Sequence, residues 1–256
     1  MDAKYEGVDD QDEPLLVLPG LICDSRTFSA QFAVFDQAIP AVDYGLADDL
    51  AEMAEHVLAS APARFALLGH SMGARVALEI VRRAPARVKR LALVSTGVHL
   101  PTTEEAPKRH ALRDLGRMQG MAALVDAWLP PMVAPSRRAD ASFLAPLREM
   151  CIQAGLPRFE AQITALLARP EVESLLPLLT CPVLVAVGSE DRWSPPEQHA
   201  AIAALIQRAQ FVVIEGAGHM LPVEAPGPLN RAIAAWLRQP VPSQDMTSPI
   251  KQGEVQ

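Results

Sequence analysis

The feature of this sequence that most restricts its fold is the stretch F-A-L-L-G-H-S-M-G-A-R, which runs from Phe65 to Arg75. Its first four residues, Phe65–Leu68, form an apolar run that is typical of a buried strand in a parallel sheet. The run meets a glycine, and residues 75–81 then follow a pattern that favours a packed helix. The stretch therefore predicts a sharp turn from a strand into a helix, with Ser71 at the corner.

Two glycines surround Ser71 in the pattern G-x-S-x-G. At such a corner the strand and the helix cross so closely that the positions two before and two after the serine tolerate almost no side chain, a demand that Gly69 and Gly73 meet. The backbone N–H of Met72 then lies at the positive end of a helix. We predict Ser71 as a nucleophile and the Met72 N–H as a donor to the oxyanion of an acyl-transfer reaction. The alternative is a loop serine between two glycines, and the choice depends on whether the chain supplies partners for it.

Apolar runs of strand length recur along the chain and alternate with helical patterns. We predict six strands, at Leu15–Leu18, Ala38–Asp43, Phe65–Leu68, Leu91–Ser95, Pro182–Val187 and Phe211–Ile214. One helix is predicted from an N-cap at Asp48 to Ala59, another from a capping box at Ser194–Glu197 to about Arg208, and a last one from Pro226. Such alternation predicts an α/β fold with a mainly parallel, doubly wound sheet of about six strands.

The alternation stops between Val98 and Leu179, where no strand is evident. Helical patterns occur there at roughly residues 103–118, 121–128, 138–154 and 157–168. A helical insertion at the ligand edge of an α/β sheet is naturally interpreted as a lid. We therefore predict a core of residues 14–98 and 180–239, a lid of residues 99–179, a polar N-terminal segment of residues 1–13 and a disordered tail of residues 240–256.

Composition restricts the partners and the compartment. The chain has 256 residues and is half hydrophobic, enough for one sizeable α/β core. A net charge of −7 disfavours nucleic acid and anionic membrane surfaces as partners. Cys23, Cys151 and Cys181 follow no zinc or disulfide pattern, which favours a reducing compartment. Residues 1–13 are unlike a signal peptide and no apolar run reaches membrane-spanning length, so we expect a cytoplasmic protein.

A serine hydroxyl needs a base that accepts its proton during attack, and histidine supplies one. His219 follows directly from a strand end at the same sheet edge as Ser71 and lies in a glycine-flanked loop. His99 also follows a strand and is the only serious rival, since His70 adjoins the serine and the remaining histidines fall on predicted helices. We predict His219 as the base.

The imidazole in turn needs a carboxylate that fixes its tautomer. Asp191 is the best placed, because it lies at the tip of the fifth strand and precedes His219 in the chain. Glu190 is adjacent and Glu215 lies at the end of the sixth strand, so both remain rivals. For the second oxyanion donor we predict the backbone N–H of Leu21, which follows a Pro-Gly turn at the end of the first strand.

Four segments, L-P-G-L-I-C-D, G-H-S-M-G, V-G-S-E-D-R-W-S-P-P and G-A-G-H-M, resemble the α/β-hydrolase superfamily, and most of all its small serine carboxylesterase-like members. The resemblance covers the chain from Leu15 to about Leu237. It implies the same roles as the residues themselves do, with Ser71, His219 and Asp191 in catalysis and Leu21 and Met72 as oxyanion donors. Two departures are a Pro-Gly turn where many relatives have His-Gly, and too few residues before the first strand for the opening strands that many relatives carry.

The expected function is a serine hydrolase that cleaves a small ester with an apolar acyl group through an acyl-enzyme intermediate, with no metal or organic cofactor. A thioesterase or acyltransferase, a lactonase and a carbon–carbon bond hydrolase use the same groups and stay open. A dehalogenase is disfavoured, because on this scaffold that chemistry uses a carboxylate where this chain has Ser71. From another class, a non-catalytic small-molecule receptor is an alternative, although a receptor has no need of all three side chains. The sequence leaves the oligomeric state open.

Two sets of side chains in the helical region bear on the substrate. One set either lines an adaptable apolar pocket or forms the core of the lid: Met118, Met121, Leu124, Trp128, Met132, Phe143, Leu147 and Met150. The other set either recognises a carboxylate or thioester carrier or, as we favour, lies on solvated helix faces: Arg109, Arg113, Arg117 and Arg158.

Overall fold

The structure is a computed structural model that describes residues 13–242. Residues 1–12 and 243–256 lie outside the described residues, and with them most of the predicted N-terminal segment and of the predicted disordered tail. Residues 240–242, the described part of that tail, belong to no helix or strand.

Six parallel strands form one sheet in the order β2-β1-β3-β4-β5-β6. They are β1 (Leu15–Leu18), β2 (Ala38–Pro40), β3 (Phe65–His70), β4 (Val88–Val94), β5 (Val183–Gly188) and β6 (Ala209–Ile214). The chain passes from β1 to one edge and then returns to place β3 on the other side of β1. The strand order therefore reverses between β1 and β3, which is where ligands of open α/β sheets bind. The predicted α/β fold with a parallel, doubly wound sheet is confirmed.

Helices cover both faces of this sheet. The α-helices of the described residues are α1 (Ser29–Phe32), α2 (Leu50–Ser60), α3 (Met72–Arg83), α4 (Glu105–Gln119), α5 (Met121–Trp128), α6 (Ala141–Ala154), α7 (Leu156–Leu167), α8 (Pro196–Ala204), α9 (Leu221–Glu224) and α10 (Pro226–Leu237). Helices α4 to α7 all lie between β4 and β5, where the sequence predicts helices and no strand. No helix within residues 13–242 has the length and apolar character needed to cross a membrane.

Two predicted helix starts are wrong. Helix α2 begins after Asp49 and not after Asp48, because the Asp49 carboxylate is the one that accepts hydrogen bonds from the first turn of the helix. The capping box predicted at Ser194–Glu197 does not form. Helix α8 begins at Pro196, and the Ser194 hydroxyl donates instead to Asp191. In both places a good capping residue is present, but local pattern alone does not decide which group its side chain meets.

The strands also differ in length from the predictions. Strand β4 begins at Val88, three residues earlier than predicted, although Lys89 and Arg90 interrupt its apolar pattern. Both side chains are buried, and Arg90 forms an ion pair with Glu13 at 2.6 Å. A paired charge can occupy a strand position that pattern alone would leave outside the sheet. Strand β2, at the edge, is shorter than predicted and ends at Pro40.

The sheet separates two layers of hydrophobic core, as the alternation along β1 illustrates. Leu15 and Val17 join a cluster with Trp236 of α10 on one face. Leu16 and Leu18 point to the opposite face, into a larger cluster that also contains residues of α2, α3 and the helices between β4 and β5. Because the strand is covered on both faces, its sequence is continuously apolar and not alternating.

Candidate active site

Ser71 lies at the turn between β3 and α3 with φ 55° and ψ −117°, outside the regions that residues with side chains normally occupy. The two elements cross as closely as the sequence predicts. A Cβ at Gly69 would lie 2.4 Å from Ala74 Cα, and one at Gly73 would lie 2.2 Å from the carbonyl oxygen of Leu18. A larger residue at either position would force β1, β3 and α3 apart. The two glycines therefore allow this corner to form.

The structure brings Ser71, His219 and Asp191 together in one chain of hydrogen bonds. The Oγ of Ser71 lies 2.9 Å from Nε2 of His219, and Nδ1 of His219 lies 2.9 Å from Oδ2 of Asp191. With Nδ1–H donating to Asp191, the neutral imidazole presents an unprotonated Nε2 that accepts from the serine hydroxyl. His219 is 4% and Asp191 2% exposed, so water competes little for these bonds. We call these three residues the Ser–His–Asp constellation.

Asp191 is held as a carboxylate despite its burial. Burial acts to raise the pKa of its carboxyl, but the interaction with His219 and the backbone N–H of Ser194 outweigh it and keep that pKa below its ordinary value. Oδ1 accepts from the N–H groups of Trp193 and Ser194, both at 2.9 Å, and Oδ2 accepts from the Ser194 hydroxyl at 3.1 Å. These bonds fix the orientation of the carboxylate. Sequence reasoning missed Ser194, because its surroundings resemble a helix cap.

The loop that carries His219 is anchored from several directions. Burial, together with the neighbouring His219, lowers the pKa of His70 to about 3, so its ring is neutral, and its Nε2–H donates to the His219 carbonyl oxygen at 2.8 Å. The N–H of His219 donates to the carbonyl oxygen of Met132 at 2.9 Å. Oε2 of Glu224 accepts from the N–H of Gly218 at 3.0 Å. The position of the imidazole therefore depends partly on the helical region, through Met132.

The predicted oxyanion donors, the backbone N–H groups of Leu21 and Met72, belong to residues that line the cavity beside Ser71. Neither N–H donates a backbone hydrogen bond to another group among the described residues. The turn after Leu21 is held in an unusual shape, since Ile22 has φ 48° and its N–H donates to Oε1 of Gln162 at 2.7 Å. Gln162 is buried and comes from α7, so no local pattern near Leu21 could have indicated it.

The rival residues do not join the constellation. His99 lines the cavity, but its hydrogen bonds to other described residues are made by its carbonyl oxygen, which accepts from Arg75 at 3.3 Å and from Arg169 at 2.9 Å. Glu190 and Glu215 are exposed, and the carboxylate that accepts the hydrogen bond from His219 Nδ1–H is that of Asp191. The geometry therefore separates the predicted set from its alternatives.

A cavity of about 240 Å³ opens beside Ser71, and one of its walls is apolar. Trp128, Met132 and Leu166 contribute to that wall. Of the eight apolar residues that the sequence offered as pocket or lid core, Trp128 and Met132 line this cavity. Three others are buried inside the helical region, namely Leu124, Leu147 and Met150, and Met118 is 75% exposed. Most of these eight residues therefore belong to the core of the helical region and not to the lining of the cavity.

A second part of the cavity lining, which we call the cationic wall, is positively charged. Five cationic residues line it against a single carboxylate, that of Glu105: Arg75, Lys108, Arg109, Arg169 and Arg192. Of the four arginines singled out from the sequence, Arg109 lies in this wall. The other three pair outside the cavity, Arg113 with Asp114, Arg117 with Glu160 and Arg158 with Asp43. The solvated-face interpretation is therefore wrong for Arg109, and the sequence reasoning missed Arg75 and Arg169.

Within residues 13–242 no group of three or more His, Cys, Asp or Glu side chains is arranged to hold a metal ion. The three cysteines are unpaired, with Cys23 and Cys151 buried.

Known proteins share this arrangement of sheet and helices. The model of the alpha/beta hydrolase family matches residues 16–232. Pimeloyl-[acyl-carrier protein] methyl ester esterase of Neisseria meningitidis serogroup B (strain H44/76) is 27% identical over 176 residues, which cover 67% of this chain and 68% of that protein. The putative carbamate hydrolase RutD of Escherichia coli O81 (strain ED1a) is 26% identical over 252 residues, covering 86% of this chain and 89% of its own.

Two solved structures extend the comparison. A thermophilic esterase from Thermogutta terrifontis, with malate bound, superposes with a TM-score of 0.77 at 29% identity, over 88% of this chain and 89% of that one. The enol-lactonase of Burkholderia xenovorans LB400 has the same TM-score at 20% identity, over 93% and 95% of the two chains, and this is a likeness of fold. Since the family model matches residues 16–232, well over half of the sequence, this chain belongs to the alpha/beta hydrolase family.

Proposed function

We propose that this protein is a serine hydrolase that cleaves a small carboxylic ester through an acyl-enzyme intermediate. Ser71 is the nucleophile, His219 the base and Asp191 the carboxylate that orients the base. The observation that carries the proposal is the pair of 2.9 Å hydrogen bonds that links the three side chains. A hydroxyl beside an unprotonated imidazole nitrogen, itself held by a carboxylate, is the arrangement that activates serine. The esterases among the relatives support the same reaction class.

The first half of the reaction follows from these contacts. Ser71 Oγ attacks the ester carbonyl carbon while Nε2 of His219 accepts the hydroxyl proton, and Asp191 stabilises the imidazolium that forms. The carbonyl oxygen becomes an oxyanion, and the N–H groups of Leu21 and Met72 donate to it. Each such donor is typically worth about 3 kcal/mol of the barrier. His219 then protonates the departing alcohol, which leaves the acyl group on Ser71.

In the second half, His219 removes a proton from water as the water attacks the acyl-enzyme, and then returns that proton to Ser71 Oγ. The acid product leaves and the serine is restored. Each proton in this sequence moves through one imidazole nitrogen, so none of the steps requires a metal or an organic cofactor.

The helical region also has a role in the proposal. We assign residues 99–179 as a lid, and the support for this is that α5, the turn after it and α7 contribute Trp128, Met132 and Leu166 to the cavity lining. These apolar side chains would contact the acyl chain of the substrate. The unpaired cysteines are compatible with the reducing, cytoplasmic setting expected from the sequence.

The direct test is Ser71→Ala, assayed on p-nitrophenyl acetate and p-nitrophenyl butyrate. We expect kcat to fall by about 10⁴-fold or more, because the nucleophile is lost while the fold is kept. Ser60→Ala is the matched control, since Ser60 is an exposed serine at the end of α2, away from the cavity. Hydrolysis by Ser71→Ala at a rate near that of the control would contradict the proposal.

The other acyl-transfer reactions are separated by a substrate panel. Esters, thioesters and lactones of matched acyl length, offered to the wild-type protein, rank the candidate leaving groups by kcat/KM. A thioester or lactone preferred over the ester would redirect the substrate class while leaving the roles of Ser71, His219 and Asp191 in place. A non-catalytic receptor would hydrolyse none of the panel.

A further inference from the structure

Two of the four arginines in the cationic wall, Arg109 and Arg169, are already engaged by one carboxylate. Nε and Nη2 of Arg109 lie 2.9 and 2.7 Å from Oε1 of Glu105, and two nitrogens of Arg169 lie 2.7 Å from Oε1 and Oε2. Burial acts to raise the pKa of Glu105, but the hydrogen bonds from Arg169 and Arg109 outweigh it and lower that pKa to about 2. The carboxylate is therefore ionised and accepts four hydrogen bonds. Few of its lone pairs therefore remain to accept a hydrogen bond from a further arginine.

Arg75 is the other buried arginine of the cationic wall, since Arg192 is exposed. Among the described residues its side chain makes one hydrogen bond, from Nη1 to the His99 carbonyl oxygen at 3.3 Å, and forms no ion pair. The same oxygen already accepts from Arg169 at 2.9 Å. A guanidinium has five N–H donors, so most of those of Arg75 have no acceptor in this part of the chain. Arg75 is 8% exposed, and burial, together with the nearby Arg169, lowers its pKa to about 9, which leaves it charged at neutral pH.

The position of Arg75 relates it to Ser71. It lies in the first turns of α3, four residues after the serine that precedes the helix. Long side chains on a helix lean toward its N-terminus, which here is the Ser71 corner. Both residues line the same cavity. An ester whose carbonyl lies at Ser71 would therefore extend within reach of the guanidinium.

We propose that the substrate is an ester that carries a free carboxylate, a half-ester of a short dicarboxylic acid, and that Arg75 binds this carboxylate. The assignment rests on the proposed ester hydrolysis at Ser71. A buried guanidinium without an anionic partner is unfavourable, and its planar fork matches a carboxylate through two parallel hydrogen bonds. The apolar wall, with Trp128, Met132 and Leu166, would contact the methylene chain between the ester and the carboxylate. Arg75 is thus a residue that determines specificity.

Wild-type protein and three probes of equal length give the first test. Monomethyl glutarate carries the carboxylate, its terminal amide analogue carries a neutral group of similar shape, and methyl 4-phosphonobutanoate carries a phosphonate. We expect kcat/KM for the half-ester to exceed that for the amide by about 100-fold, the size expected when a buried charge loses its partner. Equal values for the half-ester and the amide would overturn the proposal, and so would a preference for the phosphonate.

Substitution of Arg75 gives the second test. Arg75→Met should lower kcat/KM for monomethyl glutarate by about 100-fold, mainly through KM, and should change that for the amide by less than about threefold. Arg75→Lys should recover part of the loss, because a lysine keeps the charge but not the fork. The matched control is Arg117→Met, on α4, whose guanidinium pairs with Glu160 outside the cavity. An equal loss on both esters would assign Arg75 a structural role and overturn its role in specificity.

The proposed function and this assignment can fail separately. If Arg75→Met does not fold, as judged by circular dichroism, the wild-type comparison of half-ester and amide decides. If p-nitrophenyl acetate is hydrolysed in a Ser71-dependent way but the half-ester has no advantage, the proposed function stands and the carboxylate assignment is wrong. If no ester is hydrolysed, calorimetric titration of glutarate into the wild-type protein and Arg75→Lys tests the carboxylate site alone. Glutarate binding that weakens in the variant would support the site, and absence of binding would refute it.

Discussion

The Ser–His–Asp constellation and the cationic wall lie on the same cavity but are built in different ways. Ser71, Asp191 and His219 follow the carboxyl ends of β3, β5 and β6, and the parallel sheet brings those ends to one edge. The cationic wall instead combines Arg75 of α3 with residues of α4 and of the loops after β5 and α7. Sheet topology places strand-end residues together in advance, whereas helix side chains meet only through packing. The first kind of site can be recognised along the sequence and the second kind cannot.

The two regions also differ in their balance of charge. In the constellation, one carboxylate faces one imidazole. Both oxygens of Asp191 accept hydrogen bonds from neighbouring groups. In the cationic wall, the carboxylate of Glu105 faces five cationic side chains and neutralises only part of their charge. A balanced group suits proton transfer within the protein, while an excess of one sign suits binding of a ligand of the other sign.

Asp191→Asn should have the largest effect and tests the constellation. The amide cannot fix the imidazole in the tautomer that accepts the serine proton, so we expect kcat to fall by about 10⁴-fold on p-nitrophenyl esters with the fold intact. Glu190→Gln is the control, because Glu190 is the exposed neighbour, and it should stay within about twofold of wild type. Equal losses in the two variants would refute the distinction between Asp191 and its rival.

Glu105→Gln should have the next largest effect and tests the cationic wall. It leaves Arg109 and Arg169 without their shared carboxylate, so we expect a loss of about 3 kcal/mol in the free energy of unfolding, measured with urea at pH 7. Glu104→Gln is the control, since Glu104 forms an exposed pair with Lys108, and it should cost less than about 0.5 kcal/mol. Equal stability of Glu105→Gln and wild type would show that the arginines do not need this carboxylate.

The same variant has a predictable pH dependence. The pKa of Glu105 in the folded protein is lowered to about 2 from an ordinary value of 4.5, so its stabilising effect is complete above the ordinary value and is lost as the pH falls toward 2. The difference in unfolding free energy between wild type and Glu105→Gln should therefore shrink between pH 5 and pH 2. If the difference in unfolding free energy increased as the pH fell, the assigned role of the Glu105 carboxylate would be wrong.

Gln162→Leu should have the smallest effect and tests how the two regions are joined. It removes the hydrogen bond from the helical region to the Ile22 N–H, next to the proposed donor Leu21. We expect kcat to fall by about tenfold with KM little changed, because the oxyanion is bound only in the transition state. Gln153→Leu, at an exposed glutamine of α6, is the control. A rise in KM at constant kcat would assign Gln162 to substrate binding.

The same contrast explains what could be predicted from the sequence. All six strands and the serine corner follow from local apolar runs and glycines. Ser71, Asp191 and His219 were favoured because each follows a predicted strand and because of their order along the chain, with His99, Glu190 and Glu215 left as rivals. Ser194 was misassigned because a serine before Pro-Pro-Glu has the pattern of a helix cap, while its hydroxyl in fact donates to Asp191. Gln162 carries no local signal, since its partner lies at Ile22, far away in the sequence.

Arg75 is the most instructive omission. It is the last residue of the stretch that most restricts the fold, and its pattern was read as part of a packed helix face. Its significance appears only in the folded structure. There the loop between β4 and α4 brings the His99 carbonyl oxygen to Arg75, and the loop after α7 brings Arg169 to the same oxygen. Whether a buried arginine has a partner is a property of the packed structure, and no periodicity along one helix records it.

The most direct test of the central claim is the rate at which a fluorophosphonate labels the wild-type protein and His219→Ala, with the modified residue identified by peptide mass spectrometry. The account predicts stoichiometric labelling of the wild-type protein at Ser71 and labelling of His219→Ala that is slower by about 100-fold or more, because the hydroxyl has lost its base. Labelling at a different residue, or equal rates in the two proteins, would contradict it.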